Sequence, residues 1–164
     1  LRQTGLSECN LELEVTERFV MEDVEQAIDL LSRLRSLNVS LAIDVFGTGY
    51  TLLPSLRRLP VDTLKMDGDF FSETSSETNG EAIARSLVTM AHELNMKIVA
   101  ERITTTKQKD FFLTQGCDAF QGFLFAQPLP ADAVEQFWRM PAEVAILPIQ
   151  DLPASSSGSA HGPH

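Results

Sequence analysis

The chain is short of cysteine, of cationic side chains and of long apolar runs, and each shortage removes a class of protein. Its 164 residues include two cysteines, Cys9 and Cys117. Neither belongs to a C-x-x-C pair, so no zinc-ligand spacing exists, and both read as free thiols of a reducing compartment. Lys and Arg number 13 against 23 Asp and Glu, a net charge of −10. Nucleic-acid binders draw their affinity from cations at phosphates, so that class is disfavoured. A small anionic ligand stays open, because a bound metal inverts the local field. No apolar run approaches the roughly 18 residues of a membrane span. No basic segment followed by an apolar one marks a signal peptide. The three histidines stand in no Ser-His-Asp or Cys-His spacing, so nucleophilic triad chemistry has no support. The chain begins with Leu1 rather than Met, which is compatible with a longer parent protein.

What is present is a body 43% hydrophobic and 22% charged, enough for one domain with a real core. Leu11 to Val15 alternates as a strand, with Glu14 and Glu17 near its end. Val24, Ala27, Ile28, Leu31 and Leu34 recur as one buried helical face, with Asp23 and Gln26 as a capping pair and Asn38 as a stop. Ser40 to Phe46 reads as a buried strand, and a short helix from Pro54 is ended by Pro60. Val61 to Met66 is a third strand, and a polar loop follows at Ser72 to Gly80. Ala82, Ile83, Leu87, Met90, Ala91 and Leu94 mark a further helix stopped by Asn95. Lys97 to Ala100 is a fourth strand closed by Glu101. Thr105 with Gln108 predicts a capping box, and Gly116 the end of that helix. A fifth strand lies within Ala119 to Ala126. A last helix runs from Ala131 to Met140, with Val134 and Phe137 or Trp138 inward, and Pro141 stops it. His92 reads as structural or solvated. Residues 1–141 form the predicted domain, and 142–164 a low-complexity tail in which His161 and His164 are incidental.

Strands and helices in strict alternation imply a parallel sheet. The stretch Ser40 to Tyr50 organises the rest. An apolar run there ends in a carboxylate, Asp44, and opens into Gly47-Thr48-Gly49. A lone Asp at that point is ordinary turn chemistry. Glu14, Asp44, Lys65, Asp67, Glu101 and Gln121, however, all fall at or near strand ends. In α/β sheets and barrels ligands bind outside the carboxyl ends of strands, so the recurrence points to a site.

Five ordered segments carry a family resemblance. They are Leu11-Glu12-Leu13-Glu14-Val15-Thr16-Glu17; Asp44 to Tyr50; Leu59 to Asp67, which includes Lys65-Met66-Asp67; Val99-Ala100-Glu101; and Gly116-Cys117-Asp118 through Gln121-Gly122-Phe123 to Pro130. Together they resemble the EAL family, the phosphodiesterases that hydrolyse the bacterial messenger cyclic di-GMP. The resemblance implies a TIM-like (β/α) barrel, here incomplete, with about five of eight strand–helix units. It implies metal-assisted attack of water on a phosphodiester, with Mg²⁺ or Mn²⁺ on oxygen ligands. By resemblance Glu14 and Asp44 are metal ligands, and Glu101 and Lys65 are catalytic, Glu101 as general base or else as a metal-site acid, and Lys65 as the cation that orients the water or stabilises the phosphate. Glu17, Asp67, Phe46, Gly47 and Gln121 support or line the site, Glu17 by holding the Phe46–Tyr50 loop. The partners implied are cyclic di-GMP, an N-terminal sensor or GGDEF-type cyclase domain in a parent protein, and a second copy of the chain. The location implied is the bacterial cytoplasm, on its own or as part of a membrane-anchored protein.

The departures also carry weight. The family's loop motif has two consecutive Asp; the second position here is Val45. Where the family usually reads Glu-Gly-Val-Glu-Thr, this chain reads Glu101-Arg102-Ile103-Thr104-Thr105. A second carboxylate has become Thr104 and a glycine has become Arg102. The family's Glu-Ala-Leu motif and its metal-binding Asn have no counterpart before Leu11. The expectation is a degenerate domain, impaired in hydrolysis and acting as a nucleotide-binding or regulatory module. An active phosphodiesterase within a longer protein, and a protein-interaction module that binds no nucleotide, are the alternatives.

Overall fold

The computed structural model describes residues 3–46, 53–71 and 78–139. The chain divides into two compact units, Leu1–Gly122 and Phe123–His164. All five strands lie in the first. The second contributes one described helix, α6 (Ala131–Trp138).

Strand β1 (Glu12–Thr16) turns its glutamates outward on one face and its apolar residues to the other. Thr16 then accepts the N–H of Phe19 and caps a short helix, α1 (Glu17–Glu22). The Asp23 carboxylate accepts the N–H of Gln26 at 3.0 Å and starts α2 (Val24–Arg35), as its capping pair predicts. Asn38 takes the left-handed conformation, φ 64°, between α2 and β2 (Ser40–Phe46). A single helical turn, α3 (Leu53–Leu56), leads toward β3 (Thr63–Asp67), all five of whose residues are buried. Helix α4 (Thr78–Glu93) returns the chain to β4 (Lys97–Glu101), again through a left-handed asparagine, Asn95. The Thr105–Gln108 capping box is present and opens α5 (Thr106–Gln115). Gly116, at φ 93°, ends it in a conformation that a side chain would strain. Strand β5 is the pair Ala119–Phe120.

The strands form one parallel sheet in the order β1-β2-β3-β4-β5, so neighbours in sequence are neighbours in space. This is the strand–helix alternation read from the sequence, in an open sheet consistent with an incomplete barrel. The two faces differ in chemistry. Leu41, Ile43, Leu64, Met66, Ile98 and Ala100 are buried on the face that the helices cover. The other face is polar, and Ala42 explains how its side chains meet. Ala42 pairs with Glu14 on one side and Thr63 on the other. Its methyl group is too small to keep β1 and β3 apart, and the Thr63 hydroxyl donates to Glu12 at 2.9 Å across it.

The amino ends of the strands are spliced by one repeated device. Asp62, just before β3, accepts the N–H of Leu41 and pairs with Arg35 from the end of α2. Asp118, just before β5, accepts the N–H of Ile98 at 2.8 Å and bonds His92 from the end of α4. Burial raises the Asp118 carboxyl, but the Ile98 N–H, His92 and Lys97 outweigh it and hold it below the ordinary range. His92 is thus structural, as its position suggested.

Four expectations need correction. Helix α1 was not foreseen, because six residues are too few to display a period. Helix α4 starts at Thr78, inside the expected loop. It buries Ala84, Leu87, Val88 and Ala91, whereas Ile83 is 47% exposed. Apolar residues crowd that helix on more than one face, so the pattern left its rotational phase open. Strand β5 stops at Phe120, so Gln121 lies beyond it. Val134 of α6 is exposed rather than inward. Among the described residues, no helix is long and apolar enough to cross a membrane. Gly47, Thr48, Gly49, Tyr50 and the predicted tail at 142–164 lie outside the described residues, as does the side chain of Phe46.

Candidate active site at the strand ends

The polar face of the sheet places Glu14, Asp44, Lys65, Asp67 and Glu101 toward the carboxyl ends of four neighbouring strands. Register fixes this. Thr16 pairs with Asp44, so Glu14 and Asp44 share a face, and Asp67 pairs with Glu101. A period of two then puts Lys65 beside both.

Lys65 is the centre of the group. Its side chain is 6% exposed, and its Nζ lies 2.6 Å from Glu14 Oε1 and 2.5 Å from Glu101 Oε1. Burial opposes the charge on Lys65, but hydrogen bonds and attraction from Glu101 and Glu14 prevail and raise its pKa. Burial pushes the Glu101 carboxyl up; Lys65 pulls it back, and Asp44, within hydrogen-bonding contact, pushes it up again. The result is a carboxyl above its ordinary range, the direction of shift that suits a glutamate to a general-base role.

Asp67 is buried at the end of β3. Its Oδ1 accepts the N–H of Asp69 at 2.9 Å, and its Oδ2 pairs with the guanidinium of Arg102. That arginine was read from the sequence only as a lost glycine. The signal was a bulky cation in a glycine's place, but its partner could not be named without the pairing of β3 with β4. Gly68 is the other unforeseen residue. A Cβ there would stand 2.5 Å from the Glu101 carbonyl oxygen and 3.1 Å from Ile103 Cδ1. Gly68→Ala is expected to cost about 2 kcal/mol of stability through forced displacement of the β4 end. Urea unfolding checks it, and an unchanged midpoint would show that the two strand ends yield freely.

The remaining predicted residues are placed as follows. Glu17 is buried as the first residue of α1. Gln121 is exposed, and its backbone, rather than its side chain, ties it in. Its N–H donates to Ala100, and its carbonyl accepts from Ile103. Thr104 donates its hydroxyl to the Gln108 side chain at 3.1 Å and so belongs to the cap of α5. A cleft lined by Cys9, Arg35, Ser40 and Asp62 lies at the opposite, amino ends of the strands.

Whether this donor set suits a metal can be argued from the Asp44–Glu101 contact. Two carboxyl groups within hydrogen-bonding reach need a proton or a cation between them. Glu14, Asp44, Asp67 and Glu101 also carry two negative charges more than Lys65 and Arg102 offset. Hard carboxylate oxygens and that excess fit a divalent cation. Among the described residues, no three acid, His or Cys side chains form a group placed to hold a metal ion. Two of the acids, Glu14 and Glu101, are drawn onto the Lys65 ammonium instead.

Comparison with known proteins follows the same lines. The family model of the EAL domain matches residues 1–128. The Cyclic di-GMP phosphodiesterase NbdA of Pseudomonas aeruginosa strain PAO1 is 45% identical over 152 residues, which are 93% of this chain and 19% of that protein. The solved PaMucR phosphodiesterase in complex with c-di-GMP superimposes with a TM-score of 0.76 at 39% identity, over 82% of this chain and 60% of that one. The Klebsiella pneumoniae BlrP1 manganese/cy-diGMP complex gives a TM-score of 0.72 at 34% identity, over 78% of this chain and 33% of that one. The chain spans about a fifth of the length of the curated relatives it matches.

Proposed function

The chain belongs to the EAL domain family of cyclic di-GMP phosphodiesterases, and from that membership we propose that it binds cyclic di-GMP but hydrolyses it poorly, serving mainly as a nucleotide-responsive regulatory module. The observation that carries the reading is the buried Lys65 ammonium held between Glu14 and Glu101 at the strand ends. A cation fixed there by two carboxylates faces phosphate oxygens without reorganisation. Glu101, with its carboxyl raised, takes the proton of a water that adds to phosphorus as the bond to the leaving ribose oxygen breaks. Glu14 and Asp44 are the residues that would hold a divalent cation, which supplies Lewis acidity to the phosphodiester when bound.

Poor hydrolysis follows from two substitutions. Thr104 stands where the family carries a carboxylate, and its hydroxyl is committed to Gln108. Val45, within β2, stands where the family has a second Asp and offers no oxygen. A sensor or GGDEF-type cyclase domain in the same polypeptide fits the small share of the relatives' length that the chain covers.

The test measures binding and turnover separately. Calorimetry with cyclic di-GMP is expected to show binding, and chromatography with Mn²⁺ present is expected to show slow turnover that Glu101→Gln removes without loss of binding. Rapid turnover abolished by Glu101→Gln would favour a second reading, an active phosphodiesterase, which the identity to NbdA supports. Absence of binding would leave a protein-interaction module.

A further inference from the structure

We propose that Arg102 is an internal counter-ion that sets how many divalent cations the strand-end acids take up. Its backbone is the starting point. Arg102 has φ 53°, a left-handed conformation that glycine adopts freely and a side chain adopts at a cost. That conformation sends the guanidinium back across the end of β3. There its fork pairs with Asp67 Oδ2 and reaches Asp69 Oδ2 at 3.5 Å. The Asp67 side chain is 9% exposed, and its other oxygen is occupied by the Asp69 N–H. With Arg102 in place, an outside cation at Asp67 Oδ2 must compete with the guanidinium for that oxygen.

The charges show what this achieves. Asp67 pairs in register with Glu101, whose carboxyl already contacts Asp44. Lys65 is engaged by Glu14 and Glu101. With Arg102 present, and the solvent-exposed Asp69 set aside, the four acids at the strand ends exceed their cations by two charges, which one divalent ion neutralises. Without it the excess is three, and Asp67 becomes a buried, uncompensated carboxylate beside another. Such a group recruits a cation or a proton. A guanidinium tethered by the chain removes that demand, and it does so at every metal concentration. The inference rests on reading Glu14 and Asp44 as cation ligands.

The experiment titrates the nucleotide-free protein with Mn²⁺, following free Mn²⁺ by electron paramagnetic resonance. Arg102→Gly and Arg102→Gln are both used, since the first also relieves the backbone. Both are expected to bind Mn²⁺ about tenfold tighter, or to take up one more ion per chain, as an added charge at close range implies. Asp67→Asn in the Arg102→Gly background is expected to return binding to the starting level. Thermal melts confirm that each variant is folded. If both arginine variants match the parent while Asp44→Asn weakens Mn²⁺ binding, the counter-ion role is wrong and the cation site stands. If Asp44→Asn also changes nothing, the cation site itself is wrong and the proposal falls with it.

Discussion

Lys65→Met is expected to lower the free energy of unfolding by about 3 kcal/mol at pH 8, because it removes one partner from a buried ion-pair group and leaves the others charged. Methionine fills the volume but leaves Glu101, 12% exposed, without the ammonium that draws its carboxyl down. Glu14 suffers less, since its side chain is 47% exposed and water can replace the lost contact. The loss depends on pH, and its sign is fixed. Without Lys65, burial and Asp44 act unopposed on Glu101, so its folded pKa rises further above the unfolded value of about 4.3. A carboxyl shifted upward makes the folded state bind more protons than the unfolded one, so stability falls as pH rises through that window. The variant therefore recovers part of its deficit as acidification protonates Glu101 in that window. Lys65 itself, with its pKa raised, contributes stability below its unfolded value of about 10.4, and that contribution disappears as pH climbs through the folded value. Urea titrations at pH 5.5 and pH 8 measure both effects. An equal deficit at the two pH values would mean that packing, not charge, accounts for the loss.

The parts of this site that were legible in the sequence share a physical origin. Asp44, Lys65 and Glu101 interrupt or close short apolar runs, and a charge in a buried strand requires a partner wherever the fold puts it. Their common face followed from strand period and parallel order, both of which the alternation of elements dictates. The Thr105–Gln108 box and Gly116 were legible because caps act over three or four residues. What was not legible depends on contacts distant in sequence or on weak local signals. Arg102 meets Asp67 only because β3 and β4 pair with Asp67 opposite Glu101. Nothing within a few residues of either predicts it. The phase of α4 is settled by the surface on which it packs, and its apolar residues would have allowed another. Gln121 matched a site motif, yet its described role is to bridge Ala100 and Ile103 through its backbone. A motif there can be kept by backbone geometry as much as by chemistry.

Under the proposed function, acids placed at positions 45 and 104 give the largest expected change in activity. The variant carrying Val45→Asp and Thr104→Glu together is expected to hydrolyse cyclic di-GMP about a hundredfold faster than the parent, on the order of what a well-placed acid–base or electrostatic group contributes. Each substitution returns a carboxylate to a position where the family pattern carries one, and the two together raise the negative charge by two units. The cost to the fold is small. Thr104 gives up its hydroxyl bond to Gln108, but the backbone N–H groups of residues 104 and 105 still donate to the same side-chain oxygen, at 2.8 and 3.1 Å. Loss of one part-buried hydroxyl contact amounts to about 0.5–1 kcal/mol. Thr104→Glu alone is expected to give a smaller gain, since Val45 still offers no oxygen. Steady-state turnover with Mn²⁺ separates the cases. Should the double variant gain nothing while binding nucleotide as the parent does, the lost acids are not what limits hydrolysis, and Arg102 at Asp67 becomes the first residue to replace.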